Sequence, residues 1–465
     1  MRTAAIHVAT IAERHLAIDR VVFHIGEALQ RGTAKMTEAA PASRISPAHL
    51  VAIVCAAQVL VQIGAFFWPA LLPGMMQLWR LNNSEAGWIT AIFYAAYMIS
   101  VPVLVTLTDR LDAKHVYLFG VGATVLGHLL FALVADGFWS AMATRALTGM
   151  GWAGTYMTGL KLLADQVDAK QMSRATAGHA ASIGLSGALS FACADLLASL
   201  GGWTLAFLVA SLSAATAWII VALLAPRRAR KPVPPADGQG LFNFLPVFRN
   251  TSAMAYALAY CIHTLEMSAL RGWGVAFLAW VAMSTGAGTG LLSPTTVVTT
   301  LGIIGTVASV AGNEAAIRLG RRRLIVTAMA ASILIAAGIG VFGTLSYWGA
   351  VALLLVYGLV VWLDSSSLTA GAAGTADPAR RGATLAVHSM LGYAGGFIGP
   401  LIVGWVLDGA GGMSRAGWSA AFFSVAALMA LALGAFAIIR PRELAGDKGA
   451  AGRESELGRS VTKKT

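Results

Sequence analysis

The sequence predicts an all-α membrane protein with twelve transmembrane helices in two pseudo-symmetric six-helix bundles. Three observations predict it. The 465 residues are 57% hydrophobic and 12% charged, with mean hydropathy +0.72, whereas a soluble domain carries about 25% charged residues. Twelve apolar runs recur along the chain, each long enough for the roughly 20 residues that cross a bilayer as a helix. The longest polar interruption divides those runs six and six, and the two halves share short strings.

Residues 1–44 precede the first run. They contain Glu13, Asp19, Glu27 and Glu38 and no continuous apolar stretch, which argues against a signal peptide. They read as a cytoplasmic extension, either disordered or an amphipathic helix built on apolar positions between Ile6 and Leu29. The predicted spans are 49–77, 86–108, 115–135, 139–163, 174–199, 203–225, 252–280, 294–316, 323–343, 347–372, 383–407 and 417–439. Only helices and closed barrels satisfy every backbone group in lipid, and runs this long and continuous suit helices. Residues 45–225 form the first bundle and residues 251–440 the second. Between them, residues 226–250, "PRRARKPVPPADGQGLFNFLPVFRN", have the basic, Pro-rich composition of a linker. Residues 441–465 form a tail.

Orientation follows from Lys and Arg. Arg110, Lys114, Lys170, Arg174, the linker cluster, Arg318, Arg321, Arg322, Arg323, Arg380 and Arg381 all fall on one side. Arg80, Arg271 and Arg415 fall on the other. The basic side is cytoplasmic, so both termini are expected there, in a bacterial-type inner membrane. The net charge of +12 is explained by these short clusters and does not call for nucleic acid. The halves echo each other in "SRATAGHAASIGLSG" and "RRGATLAVHSMLGYAGG", each with Arg, Ala-Thr and then His entering a Gly-rich helix. Such an echo suits a parallel repeat about an axis along the membrane normal.

With this topology, several strings resemble those of the major facilitator superfamily (MFS), over about residues 45–440. The family's loop after the second helix is similar to G-x-L-a-D-R-x-G-R-K-R; here Asp109, Arg110 and Lys114 match, while Val105 and Asp112 replace the glycines. "NEAAIRLGRRR" resembles a second copy, matched at Arg318, Gly320, Arg321, Arg322 and Arg323. "RALTGMGWAGTYM" resembles the family's R-x-x-x-G-x-G-x-A at Arg145, Gly149, Gly151 and Ala153. A G-x-x-x-G-P-x-x-G-G string known from the fifth helix of antiporters is matched in the eleventh run instead, at Gly395, Gly399, Pro400 and Gly404. The resemblance implies the MFS fold and a gating role for Asp109, Arg110, Lys114, Arg318 and Arg321. A solvated turn bearing orienting charges is the plainer account of the first loop. Gly149, Gly151, Gly395, Gly399 and Pro400 are expected to set helix packing.

Polar residues inside spans are the candidates for solute and ion handling. Arg145, Gly149, Trp152 and Tyr156 share one stripe of the fourth run, and Arg145 suits an anion. In the seventh run Tyr256, Tyr260, His263 and Met267 share a face, with Glu266 one turn from His263. A membrane-embedded His–Glu pair suits proton uptake, because histidine exchanges protons near neutral pH and a buried carboxylate charge is costly. Alternatively, Glu266 sits at the outer end and pairs with Arg271. Gln58 and Gln62 lie one turn apart in the first run and can bond a solute or a neighbouring helix. Asp364 in the tenth run is a second proton candidate, with Trp362 beside it. Asp195 and the lone His128 carry less weight.

No cofactor and no metal are expected. Cys55, Cys193 and Cys261 lie inside apolar runs without metal spacing, and no Walker A string points to ATP. No nucleophile–base cluster suggests an enzyme. The expected function is secondary active transport of a small solute, anionic or carboxylate-bearing, by alternating access with proton coupling. Its partners would be that solute and the lipid bilayer, with the protein acting as a monomer. Proton-antiport efflux of hydrophobic or cationic drugs is the alternative. A third is a non-transporting sensor or assembly subunit on a carrier fold.

Overall fold

Every predicted span has a helical counterpart in the computed structural model, which describes residues 45–108, 110–167, 169–227, 244–377, 380–444 and 447. The predicted extension, Asp109, Lys170's side chain and most of the linker and tail lie outside the described residues. The first span is a pair, α1 (Pro47–Gln62) and α2 (Phe67–Trp79). Then come α3 (Asn83–Leu107), α4 (Ala113–Val134) and a second pair, α5 (Phe138–Ala153) and α6 (Tyr156–Ala164). The fifth and sixth spans are one element, α7 (Ala169–Leu224), broken at Gly201 and Gly202. Gly202 has φ 74°, a conformation that glycine adopts without penalty. The end of the predicted linker is already helical, as α8 (Leu245–Phe248).

The second half repeats the pattern: α9 (Thr251–Thr285), α10 (Pro294–Leu319), α11 (Arg321–Phe342), the pair α12 (Tyr347–Val361) and α13 (Ser365–Thr375), then α14 (Arg381–Gly409) and α15 (Arg415–Ile439). Among the described residues, nine helices or helix pairs are long and apolar enough to cross a membrane, with the broken α7 counted once. The other two predicted spans, α5–α6 and α9, are helical but more polar. They hold Arg145 and Lys161, and His263, Glu266 and Arg271. Leu212, Leu223, Leu334, Leu431 and Ile438 are 67–81% exposed, an apolar outer surface that suits lipid rather than water.

Local chemistry sets the helix ends. Asn82 and Glu85 form a capping box at the start of α3, with bonds of 2.8 and 2.9 Å. Asp112 caps α4, Asn250 caps α9, and Ser293 caps α10 ahead of Pro294. Gly286 closes α9 in the left-handed region, φ 63°.

Residues from Pro47 onward cluster as one unit. Within it α3 packs on α5, α4 on α5 and α7, and α11 on α15. Early and late helices meet where α3 lies on α14, α7 on α10 and α2 on α9. Small residues allow the closest approaches. A Cβ on Gly395 or Gly399 of α14 would collide with the carbonyl oxygens of Cys261 and Leu265 on α9, and one on Gly149 would strike the Phe93 carbonyl. Gly395→Val is therefore expected to overpack the α9–α14 contact by about 1–3 kcal/mol. Thermal unfolding of the purified variant checks this, and an unchanged melting temperature would contradict it.

Two contacts tie early helices to late ones at the end where α3 begins. The Asp408 carboxylate, at the end of α14, accepts from Asn83 N and Nδ2 and from Ser84 N and Oγ at 2.5–3.1 Å. Asp195 on α7 accepts from Thr295 Oγ1 on α10 at 2.7 Å. At the opposite end the basic residues expected to gate are engaged elsewhere. Lys114 Nζ donates to the carbonyls of Ala222 and Ala225 at 2.8 and 2.6 Å, which satisfies the last turn of α7. Arg318 pairs with Glu314 one turn back on an exposed surface. Arg321 is buried against Asp447 of the tail. Arg110 is exposed just past α3.

Candidate functional site: a polar and aromatic cluster at three helix breaks

The first, fourth and tenth spans are interrupted midway, at 63–66, 154–155 and 362–364. Unwound backbone at such depth frees carbonyls and amides for side chains, as at the binding sites of carriers built on broken helices. Arg145 donates from Nη1 to the Ala65 carbonyl at 3.1 Å, in the first break. Its guanidinium lies 4.6 Å above the Phe93 ring, and its Nε has no partner among the described residues. Trp152 packs against Phe93 at 4.8 Å and edge-on to Phe66 at 6.1 Å. Tyr97 of α3 stacks on Tyr393 of α14 at 3.5 Å, and Trp152 meets Tyr393 at 6.0 Å. Aromatic rings thus bridge early and late helices at the middle of the protein.

The third break holds Asp364. Its Oδ1 lies 3.0 Å from His263 Nδ1, and both side chains are almost fully buried. The separation is that of an ion pair when the imidazole is protonated. It is not an aligned hydrogen bond, and Asp364 Oδ1 has no donor among the described residues; charge attraction is therefore the physical content of the contact. His263 Nε2 is also without a partner. The His263 ring stacks near Tyr260, which lies 4.1 Å from the His388 ring. His388 Nε2 is 3.1 Å from Thr369 Oγ1.

This corrects the expected His263–Glu266 pair. Residues three apart share a helix face, but Asp364 comes from another span, and its alignment with His263 is not visible in local spacing. Glu266 instead accepts hydrogen bonds from Ser332 Oγ and from Tyr357 Oη, the latter at 2.6 Å. It lines a cavity of about 30 Å³ with Trp273, Phe277, Trp418 and Phe422, room for water. Nor does Glu266 pair with Arg271. The Arg271 guanidinium lies 5.0 Å from the Phe66 ring and 5.1 Å from the Trp362 ring. The lysine–arginine count gave Arg271 only as a charge of the outer side, within the span 252–280, and the structure places it inside α9. The signal was present: Arg271 continues the stripe of His263 and Met267 at helical spacing.

Gln58 accepts from Tyr117 Oη at 3.3 Å and Gln62 from Ser186 Oγ at 3.4 Å. Both amide nitrogens are buried without partners among the described residues. Gln62 and His128 line a cavity of about 10 Å³, the space of one water. Tyr156 offers its carbonyl to His179 Nε2 at 3.0 Å. Tyr256 does not join the cluster: its hydroxyl donates to the Arg442 carbonyl and its ring packs on Phe436, at the basic end. Sequence reasoning missed His388, Tyr97, Tyr393 and Phe66. The repeated Ala-Thr-His string marked His179 and His388, but only as symmetry. Among the described residues no group of His, Cys, Asp and Glu could hold a metal ion.

Comparison with known proteins agrees with this architecture. The chain is 26% identical over 258 residues to protein spinster homolog 1 of Homo sapiens, covering 54% of this chain and 48% of that protein. The chain thus matches about half the length of that curated relative. Its fold is similar to the crystal structure of a bacterial homolog of the human lysosomal transporter Spinster, inward-facing and unoccupied. There the TM-score is 0.69 at 13% identity, over 86% of this chain and 98% of that one. The crystal structure of a nucleoside transporter, NupG, superposes with TM-score 0.64 at 15% identity, over 84% of this chain and 99% of that one. The family model of the Major Facilitator Superfamily matches residues 54–400, and so this multi-pass membrane protein belongs to the major facilitator superfamily of transporters.

Proposed function

We propose that this chain is a proton-coupled secondary transporter that moves a small anionic solute across an inner membrane, as a monomer, by alternating access of its two halves. The buried His263–Asp364 contact at the break of the tenth span carries the reading. A buried ion pair holds only while both partners are charged, because removing one charge leaves the other uncompensated. A proton delivered to Asp364, or withdrawn from His263, changes the cost of keeping the seventh and tenth spans together. That bias is how proton binding drives a carrier between its two openings. Arg145, with an open Nε beside an aromatic floor, favours an anionic cargo. With both termini cytoplasmic, the Asp408 and Asp195 ties close the outer face, and solute exchanges with the inner side.

The test is uptake into proteoliposomes with a trapped pH dye, challenged with a panel of organic anions under an imposed pH gradient. Proton movement coupled to anion addition is the expected result. Asp364→Asn should abolish gradient-driven uptake, by at least about tenfold, while solute exchange at equal pH continues. Uptake indifferent to the gradient removes the coupling claim.

One observation favours efflux of hydrophobic cations instead: the aromatic cavity with Glu266 in its wall. Its space of about 30 Å³ holds water but not a drug-sized body, so the anion reading is preferred.

A further inference from the structure

The sequence drew attention to Arg145, yet Arg145 is partly satisfied. One of its nitrogens already serves the Ala65 carbonyl, and its face is covered by Phe93. Arg271 is different. Its guanidinium carbon sits near Phe66, at the start of α2, and near Trp362, inside the tenth-span break. Rings that approach a guanidinium face leave its in-plane N–H donors unused. Among the described residues no carboxylate lies within ion-pair distance of Arg271, and no hydrogen bond to its side chain is found. A guanidinium held inside a membrane protein with its donors open is costly. An oxyanion arriving in the plane of the fork relieves that cost with two parallel charge-assisted hydrogen bonds.

The surroundings specify the rest of the ligand. Phe66 stacks on Phe191 at 5.7 Å with the planes 7° apart, and meets Trp152 edge-on. Trp362 supplies the other wall, with its ring packed over Gly305. Flat walls of this kind suit a planar apolar body whose charged end lies at the fork.

We propose that Arg271 is the anion anchor of the solute site and that the cargo is an organic oxyanion, carboxylate or phosphate, on a planar apolar body. The proposal rests on the reading that this chain carries a solute, and it narrows the class of that solute. Phe66 belongs to the first span and Trp362 to the tenth, so an anion at Arg271 touches both halves and senses their separation.

The experiment is thermal unfolding of the detergent-purified full chain with benzoate, phenyl phosphate, benzamide or benzyltrimethylammonium, each titrated to the same concentration. A ligand of the folded state raises the transition by an amount that grows with the logarithm of its concentration over its Kd. Benzoate, phenyl phosphate or both should raise it, and benzamide and the ammonium should not; which oxyanion is stronger separates carboxylate from phosphate. Arg271→Gln should weaken the anion's apparent affinity at least about tenfold, and Arg271→Lys, which keeps the charge without the fork, should weaken it less. If Arg271→Gln does not fold, the wild-type preference for benzoate over benzamide and a weaker anion affinity in Arg271→Lys than in wild type still decide the matter. Equal shifts from benzoate and benzamide, a shift from the ammonium alone, or full anion binding by Arg271→Gln would overturn the assignment. Binding needs neither flux nor a gradient, so failure of the transport reading and failure of this one are separately visible.

Discussion

Replacing Arg321 by alanine is expected to destabilise the protein by roughly 3 kcal/mol. The residue resembles a gating arginine by sequence, but its side chain is 2% exposed and fully engaged. Nε and Nη2 grip both carboxylate oxygens of Asp447 at 3.0 Å, and Nη1 donates to Asn313 Oδ1 and the Ser367 carbonyl at 3.0 and 3.2 Å. Glu443 also accepts from the backbone amides of Arg321 and Arg322, where α11 begins. Deleting one member of a buried pair strands the other charge, at about 3–5 kcal/mol. A double-mutant cycle with Arg321→Ala and Asp447→Ala should show coupling above about 1.5 kcal/mol. Additive effects would mean that the contact contributes nothing to stability. A change in transport rate with unaltered stability would return Arg321 to the gating role.

The spans were legible because a bilayer imposes one signal, a long apolar run, and several runs begin at a capping residue that local chemistry also marks. Asn82 with Glu85, Asn250 and Ser293 are examples. The breaks within spans were harder to see. Gly64 and Gly154 lie at two of them, yet glycine is common in membrane helices for packing reasons, so composition alone does not separate a break from a close approach. The site was legible as an inventory and illegible as a set of partners. His263, Asp364, Arg145 and Trp152 stand out as polar or aromatic residues in apolar runs. Which of them touch depends on α9 meeting the tenth-span break and α3 meeting α14, contacts over a hundred residues apart in sequence. Arg271 was read only as an outer-side charge, because a count of lysine and arginine gives orientation and no partners, although the run 252–280 already contained it. The continuous 35-residue α9 carries Arg271 well inside.

On the alternating-access reading proposed above, Asp408→Asn is expected to shift the equilibrium between the two openings by roughly thirtyfold, about 2 kcal/mol. The wild-type carboxylate accepts from two successive backbone amides at the start of α3 and from both adjacent side chains. Charge-assisted bonds of this kind contribute about 1.5–3 kcal/mol each when buried, and the favourable end of the helix dipole adds to them. Asp408 is exposed, and its four bonds are part-buried at Asn83 and exposed at Ser84, so solvent screening reduces the total to about that of one buried bond. An asparagine keeps the shape but loses the charge, and it can present an amide to donors. Spin labels on cysteines at Trp139 and Leu345, both exposed at the end where α3 begins, report the separation of early and late helices there. The distance distribution should move to longer values in Asp408→Asn, and uptake driven by a gradient should slow as that face opens too readily. An unmoved distribution would mean that the aromatic contacts of Trp88 with Phe397 and Trp405 hold this face closed without Asp408. The geometry favours the carboxylate, because a single group at the end of α14 satisfies the first free amides of α3, and those amides lose their partner as soon as the two helices part.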